Sequence, residues 1–412
     1  MSEEQRTPLS LFEGYGLEIE YAIVDAETLD VRPWADRLLR KAAGTSEHVA
    51  DHDDGDIGWS NELVNHVLEF KNAGPVPSLE GVDAAFDESL DRAQAILAEW
   101  SACLLPTGMH PWMDPAHETK IWSHEGAEIY NAYDRIFGCR RHGWANVQAT
   151  HLNLPFANED EFVRLYAAAR IMLPMLPALA ASSPFRDGGA SGILDTRLRH
   201  YFTNSARVPA MTGDVIPGPL ASYSDYAKLL ASIDAEVAEL DRDRILVGNQ
   251  WINARGAIAR FDRMAIELRL LDTQECPRAD VAICEAVAAA MRALVEERWI
   301  SFSEQRETPT APLRAALDAA AVEGPAAALA TPLLASALGA PGARTLGEVW
   351  ERFLAETPLS DGATAVLETV LAEGTLAQRI LAATGPAPSH EKLHAVYTEL
   401  AGCLATGRML GE

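Results

Sequence analysis

Gly16-Leu17-Glu18-Ile19-Glu20-Tyr21 sets two glutamates two residues apart inside an apolar run. On an extended strand, residues two apart share a face. Glu18 and Glu20 then point one way, while Leu17, Ile19 and Tyr21 pack on the other. Two carboxylates facing one space are costly unless that space is solvated or holds a cation, and hard divalent cations take oxygen ligands. The stretch predicts a strand that faces a metal site.

Three further segments carry the same alternation. In Val67-Leu68-Glu69-Phe70-Lys71, Leu68 and Phe70 oppose Glu69 and Lys71; in His151-Leu152-Asn153-Leu154, His151 and Asn153 oppose the leucines; in Ile266-Glu267-Leu268-Arg269-Leu270, Glu267 and Arg269 oppose three aliphatics. Strands are expected over residues 18–24, 67–71, 147–154 and 265–271. An antiparallel sheet with one wet face accounts for any one of them alone. Together they present Glu, Glu, Glu, His, Asn, Glu and Arg where solvated faces favour Thr, Lys, Ser and Gln, so the set reads as a functional face. Between the strands, residues 79–101 and 159–176 show helical periodicity. After Pro277 the chain turns to Ala-rich helices, beginning with residues 280–301 and ending with 389–404, with breaks at 309–312 and 339–342. The class is α+β.

At 412 residues the chain exceeds what one core usually serves. The expected division is a catalytic core over residues 14–277 and a helical region over 278–412, packed on the core or continuous with it. A net charge of −26 argues against nucleic acid and anionic membrane as partners, because both need Lys and Arg to neutralise phosphates. Small molecules are the expected partners, and a homo-oligomer is left open. Residues 1–14 hold four charged side chains and no sustained apolar run, so no leader is expected and the cytoplasm is the expected compartment. The five cysteines are odd in number and widely spaced, as reduced thiols are. No P-loop or dinucleotide fingerprint occurs.

Taken in order, several segments resemble one family. Gly16-Leu17-Glu18-Ile19-Glu20 resembles its opening Gly-x-Glu-x-Glu strand, and Glu62 with Glu69 its second acidic element. Gly108-Met109-His110-Pro111 resembles a Gly-Thr-His-Pro segment, His151 falls at a strand His, and Ser182-Ser183-Pro184-Phe185 matches a Ser-Ser-Pro-Phe loop. Residues 251–272, with Trp251, Arg255, Arg260, Glu267, Arg269 and Asp272, resemble its closing element. The family is the bacterial carboxylate-amine ligases related to glutamate-cysteine ligase, and the resemblance covers residues 14–277. Arg186, Met109 and the lack of a proline after Arg255 depart from its pattern at positions expected near the substrates.

The resemblance implies a glutamine-synthetase-like fold, in which a curved antiparallel sheet forms a funnel holding metal ions and ATP on its polar face. It implies an ATP-dependent ligase that joins an amino-acid carboxylate to an amine through an acyl phosphate, glutamate and cysteine being the first pair to try. Enzymes of phosphoryl transfer mainly position groups and neutralise charge. Glu18, Glu20, Glu62, Glu69, His151 and Glu267 are the expected ligands of Mg2+ or Mn2+. Arg269 is expected on the transferred phosphoryl group beside Glu267, with Arg260 and Arg255 as further phosphate or substrate contacts. Glu62 stands at an odd spacing from Glu69, which opposes them on a regular strand unless a bulge or turn intervenes. His110, His117 and His124 are expected in loops over the site, and residues 188–192 in a mobile substrate loop or a plain turn. Two other readings share this face: a phosphotransferase acting on a guanidino or carboxylate group, and a non-catalytic metal- or nucleotide-binding protein.

Overall fold

A computed structural model describes residues 8–412; the reading of residues 1–14 falls for its first seven outside the described residues. The main sheet has eight strands: β1 (Gly16–Asp25), β2 (Asp51–Asp54), β3 (Ile57–Asn61), β4 (Val67–Asn72), β5 (Ala102–Leu105), β6 (Ala149–Pro155), and, after a two-residue hairpin of β7 (Phe185–Arg186) and β8 (Gly189–Ala190), β9 (Ala257–Arg260) and β10 (Ala265–Asp272). The order is β2-β3-β4-β1-β6-β10-β9, with β5 pairing β1 beyond the end of β6. Every pairing is antiparallel. The four strands expected from alternation are the four central ones.

Alternation decides the two faces. Leu17, Ile19, Tyr21, Leu68, Phe70, Leu152, Leu154, Ile266 and Leu268 all enter the main hydrophobic core. Helices Val82–Ala98, Glu159–Met172 and Pro277–Val295 cover that side of the sheet. The second of these is capped by Asn158, which accepts from the Glu161 amide at 3.0 Å. It stops short of residue 176. Pro174 and Pro177 have no amide hydrogen to donate, so a 3-10 turn, Leu173–Met175, and a short helix, Pro177–Ala180, replace the continuous helix expected there. The helix expected from residue 280 starts at Pro277, where a missing amide hydrogen costs nothing.

The Ala-rich helices share the core of the sheet. Leu313, Leu317, Leu334, Val349 and Val366 pack in one cluster with Ile19 and Leu268. The Trp350 indole donates to the Met175 carbonyl at 3.0 Å. On the opposite side of the sheet, the far half of β1 is also apolar: Ala22 and Val24 are buried against Leu393, Val396, Tyr397 and Leu400 of helix His390–Thr406. That helix covers one end of the second face and leaves the end with Glu18 and Glu20 open. All five cysteines are free thiols. No helix among the described residues is long and apolar enough to cross a membrane.

Candidate active site

The open half of the second face is the floor of a cavity of about 630 Å³, lined by Glu18, Glu20, Glu62, Glu69, His151, Glu267, Arg260 and Arg269 among others. Register brings these residues together. Glu20 stands opposite Glu69 across β1 and β4, and Glu18 opposite His151 across β1 and β6. Glu267 stands opposite Asn153 across β6 and β10. Between Leu268 and Leu271, β10 advances three residues while β6 advances two. The extra residue is a β-bulge against β6 at Arg269–Leu270, while on the other side the Arg269 amide continues the ladder to β9, donating to the Gly256 carbonyl at 3.0 Å.

Glu62 reaches the cavity by a turn. It directly follows β3, which pairs with β4 so that Ser60 opposes Glu69, and the intervening residues reverse the chain. The odd spacing from Glu69 is thereby resolved without a strand carrying both. Arg255 is different: it does not line the cavity. Ile258 and Arg260 of β9 face the cavity, whereas Ala257 and Ala259 face the core, and Arg255 shares the parity of the core-facing pair. Its guanidinium donates to the carbonyls of Ala210 at 2.9 Å and Met211 at 3.1 Å, outside the cavity in which a phosphate or substrate contact was expected.

Two groups of ligand atoms share His151. Glu18, His151 and Glu267 form one, and Glu20, Glu69 and His151 the other; within each, one atom per residue lies within 4.8 Å of the others. Charge is unevenly compensated. Burial alone would raise the Glu18 carboxyl, but the His151 hydrogen bond at 3.2 Å and the His151 and Arg263 charges hold it well below the usual range. Burial raises Glu20 despite the opposing pull of His151. Glu69 is raised by burial and by Glu18, and Glu62 is raised further by burial and by Glu20 and Glu69. Burial would lower His151, yet its bond to Glu18 and the charges of Glu267 and Glu20 raise it. Carboxylates that push one another's protonation upward form a site short of positive charge.

On the other flank are fixed cations. Arg260 donates to Glu267 at 2.7 Å, and Arg269 Nε lies 3.0 Å from the same carboxylate. Arg263 pairs with Glu18. Reading strands alone misses Arg263, which lies in the turn between β9 and β10; the short gap between the Arg260 and Glu267 strands was the available signal. It also misses Arg197, a cavity residue on helix Thr196–Tyr201 that is only 2% exposed. Arg197 pairs with Asp272, which also accepts from the Ser182 amide at 2.9 Å and the Ser183 hydroxyl at 2.7 Å. Gly108 closes over this carboxylate, and a Cβ there would overlap it.

None of the loop histidines lines the cavity itself. His110 is buried, with Nε2 2.7 Å from the Leu29 carbonyl, His117 is exposed on helix Pro115–Glu118, and His124 pairs with Asp36. Residues 188–192 complete the β7–β8 hairpin outside the cavity lining. Met109 and Arg186 are also outside that lining: Met109 is core, and Arg186 is exposed beside Asp187 and His200. The departures from the family pattern therefore do not touch the cavity directly.

The family model of glutamate-cysteine ligase family 2 matches residues 15–399. An uncharacterized protein of Archaeoglobus fulgidus is 36% identical over 282 residues, 68% of this chain and 75% of that one. A Corynebacterium efficiens protein, provisionally named glutamate-cysteine ligase 2-1, is 28% identical over 300 residues, 71% of this chain and 69% of that one. The crystal structure of the Francisella tularensis glutamate-cysteine ligase in complex with AMP shares the fold at a TM-score of 0.58 and 13% identity, covering 95% of this chain and 89% of that one. With the family match spanning nearly the whole sequence and the acidic sheet face in place, the chain belongs to glutamate-cysteine ligase family 2 and is an ATP-dependent ligase.

Proposed function

We propose that the cavity joins an amino-acid carboxylate to an amine at the expense of ATP, with the polar half of the curved sheet acting as the funnel of a glutamine-synthetase-like ligase. The observation that carries this reading is the pair of ligand groups sharing His151, flanked by Arg260 and Arg269. The donor set fits hard divalent ions, because five of its six members are carboxylates, three of which are pushed upward by burial, and two of those, Glu62 and Glu69, also by the charge of neighbouring carboxylates. Glu18, Glu20, Glu62, Glu69, His151 and Glu267 would hold Mg2+ or, given the imidazole, Mn2+. Such ions neutralise and align the ATP phosphates.

Phosphoryl transfer from ATP to the substrate carboxylate breaks the γ-phosphate bond to ADP and forms an acyl phosphate. The amine then attacks the acyl carbon, and inorganic phosphate leaves. Arg269, held in register by the bulge and by Glu267, supplies a fixed charge for the transferred oxygens, and Arg260 supplies a second. Glutamate and cysteine are the first pair to supply, since a Corynebacterium relative and the Francisella structure carry that name.

The test is ADP release with Mg2+ or Mn2+ against amino acids and amines, singly and in pairs, with mass spectrometry of the products. Turnover that needs both components, with an amide formed, supports the proposal. A phosphorylated product from one component alone replaces it with phosphotransfer. No turnover alongside intact nucleotide binding replaces it with the binding-only reading.

A further inference from the structure

Outside the cavity, one cluster has ligand chemistry that the ligase reading leaves unused. Asp36, His48 and His124 place three ligand atoms within 4.8 Å of one another. Asp36 Oδ2 lies 3.1 Å from His124 Nε2 and 3.9 Å from His48 Nδ1. These spacings bracket the ligand-to-ligand distance of about 3.3 Å that tetrahedral bonds of about 2.0–2.1 Å impose. The two imidazoles lie face to face, with centroids 3.6 Å apart. Drawing both nitrogens onto one ion requires a splay of His48, whose side chain is the most exposed of the three at 35%.

The carboxylate is oriented for this role. Asn65 donates from Nδ2 to Asp36 Oδ1 at 2.9 Å and accepts the Asp36 amide at 2.9 Å, leaving Oδ2 to the imidazoles. An outer partner that fixes a ligand in this way is the usual support of a metal site. Trp122 and His124 pack as a T-shaped pair, with centroids 5.0 Å apart. Two imidazoles and one carboxylate suit zinc and its transition-metal neighbours, and suit magnesium poorly.

We infer that Asp36, His48 and His124 form a zinc-class site at the rim of the cavity, separate from the acidic floor. Its position gives it a consequence. Two residues after His48, Ala50 lines the cavity, and its carbonyl holds the Asn61 amide at 2.9 Å beside Glu62. Directly after His124, Glu125 and Gly126 line the same cavity. One ion on these three side chains ties both segments to helix Ala35–Ala42 and fixes the spacing of the mouth.

The experiment uses the full chain, stripped with chelator and then dialysed against buffered Zn2+ in a large excess of Mg2+. Metal is counted by mass spectrometry, and melting is followed with and without zinc. Wild type is expected to retain one zinc equivalent more than the His48→Ala/His124→Ala variant and to melt higher when zinc is added; the double variant shows no such gain. His48→Gln, at the most exposed position, guards against a folding defect and is expected to weaken zinc binding by roughly tenfold or more. Glu267→Gln, altered only in the floor, is expected to keep the rim equivalent. Equal zinc content and equal melting shifts in wild type, His48→Gln and the double variant overturn the inference.

Discussion

Asp272→Asn tests the buried charge pair beneath the cavity. The substitution keeps size and shape, so no void is created. What it removes is the charge that neutralises Arg197, a guanidinium 2% exposed whose Nη2 has no hydrogen-bond partner, together with one accepting oxygen, since the new amide NH2 faces either the Arg197 Nε or the Ser182 amide and Ser183 hydroxyl as a second donor. Breaking one side of a buried pair costs about 3–5 kcal/mol, a large part of a typical stability of about 5–15 kcal/mol. Asp195 moderates the loss. Its carboxyl is raised by burial and then by the Asp272 charge, so neutralising Asp272 makes Asp195 easier to ionise and lets it face Arg197 instead. The expected cost is therefore nearer about 3 kcal/mol. Urea unfolding of the single variants and of Asp272→Asn/Arg197→Met measures it as a double-mutant cycle. The double variant should be less destabilised than Asp272→Asn alone, because no orphaned charge remains. A cost below about 1 kcal/mol for Asp272→Asn, or strict additivity of the two changes, would refute the reasoning.

Glu62→Gln should raise the melting temperature of metal-free protein at pH 8. A folded-state pKa raised above the unfolded value gives stability that is present at low pH and lost as pH rises through the folded pKa, so the gain should vanish near pH 4; with Mn2+ present the order should reverse if Glu62 is a ligand. His66 and His110 are each lowered by burial to about 4 from 6.5. Their contribution is complete above pH 6.5 and is lost as pH falls toward 4, about 3 kcal/mol for each at 1.36 kcal/mol per pH unit; urea midpoints that stay constant from pH 7 to 5 would contradict this. Arg269→Ala should lower kcat by roughly 10²–10³-fold while leaving ATP affinity within a few-fold, and an equal loss of both would assign it to ground-state binding.

The central strands were legible because each alternates over at least four residues and one face is uniformly apolar. The outer ones were not. β2 is Asp-His-Asp-Asp, which reads as a solvated turn, and β9 is only Ala-Ile-Ala-Arg. Neither carries enough pattern without its partner strand. Six acidic and imidazole candidates meet in one cavity because strand parity and a hairpin suffice to position them. Arg255 shows where that logic stops, since it precedes β9 and its parity had to be carried through Gly256. Arg197 was hidden for another reason: its place depends on an ion pair with Asp272, 75 residues away in sequence. The bulge at Arg269 is equally silent in the sequence, because Leu270 and Leu271 are both aliphatic and do not mark the change of parity.

The covering of Ala22 and Val24 by helix His390–Thr406 sets an order on biosynthesis. β1 leaves the ribosome among the earliest elements, yet the apolar half of its outer face stays without a mate until the helix some 360 residues downstream is made. At about 5–20 residues per second that interval is on the order of half a minute. Through it, the nascent chain carries a half-covered sheet with Val24, Val67 and Leu105 in water, a ready target for holding chaperones. The same strand that presents the glutamates is thus the last to be closed on its other end, and the acidic face forms beside a surface that remains adhesive until synthesis is nearly complete.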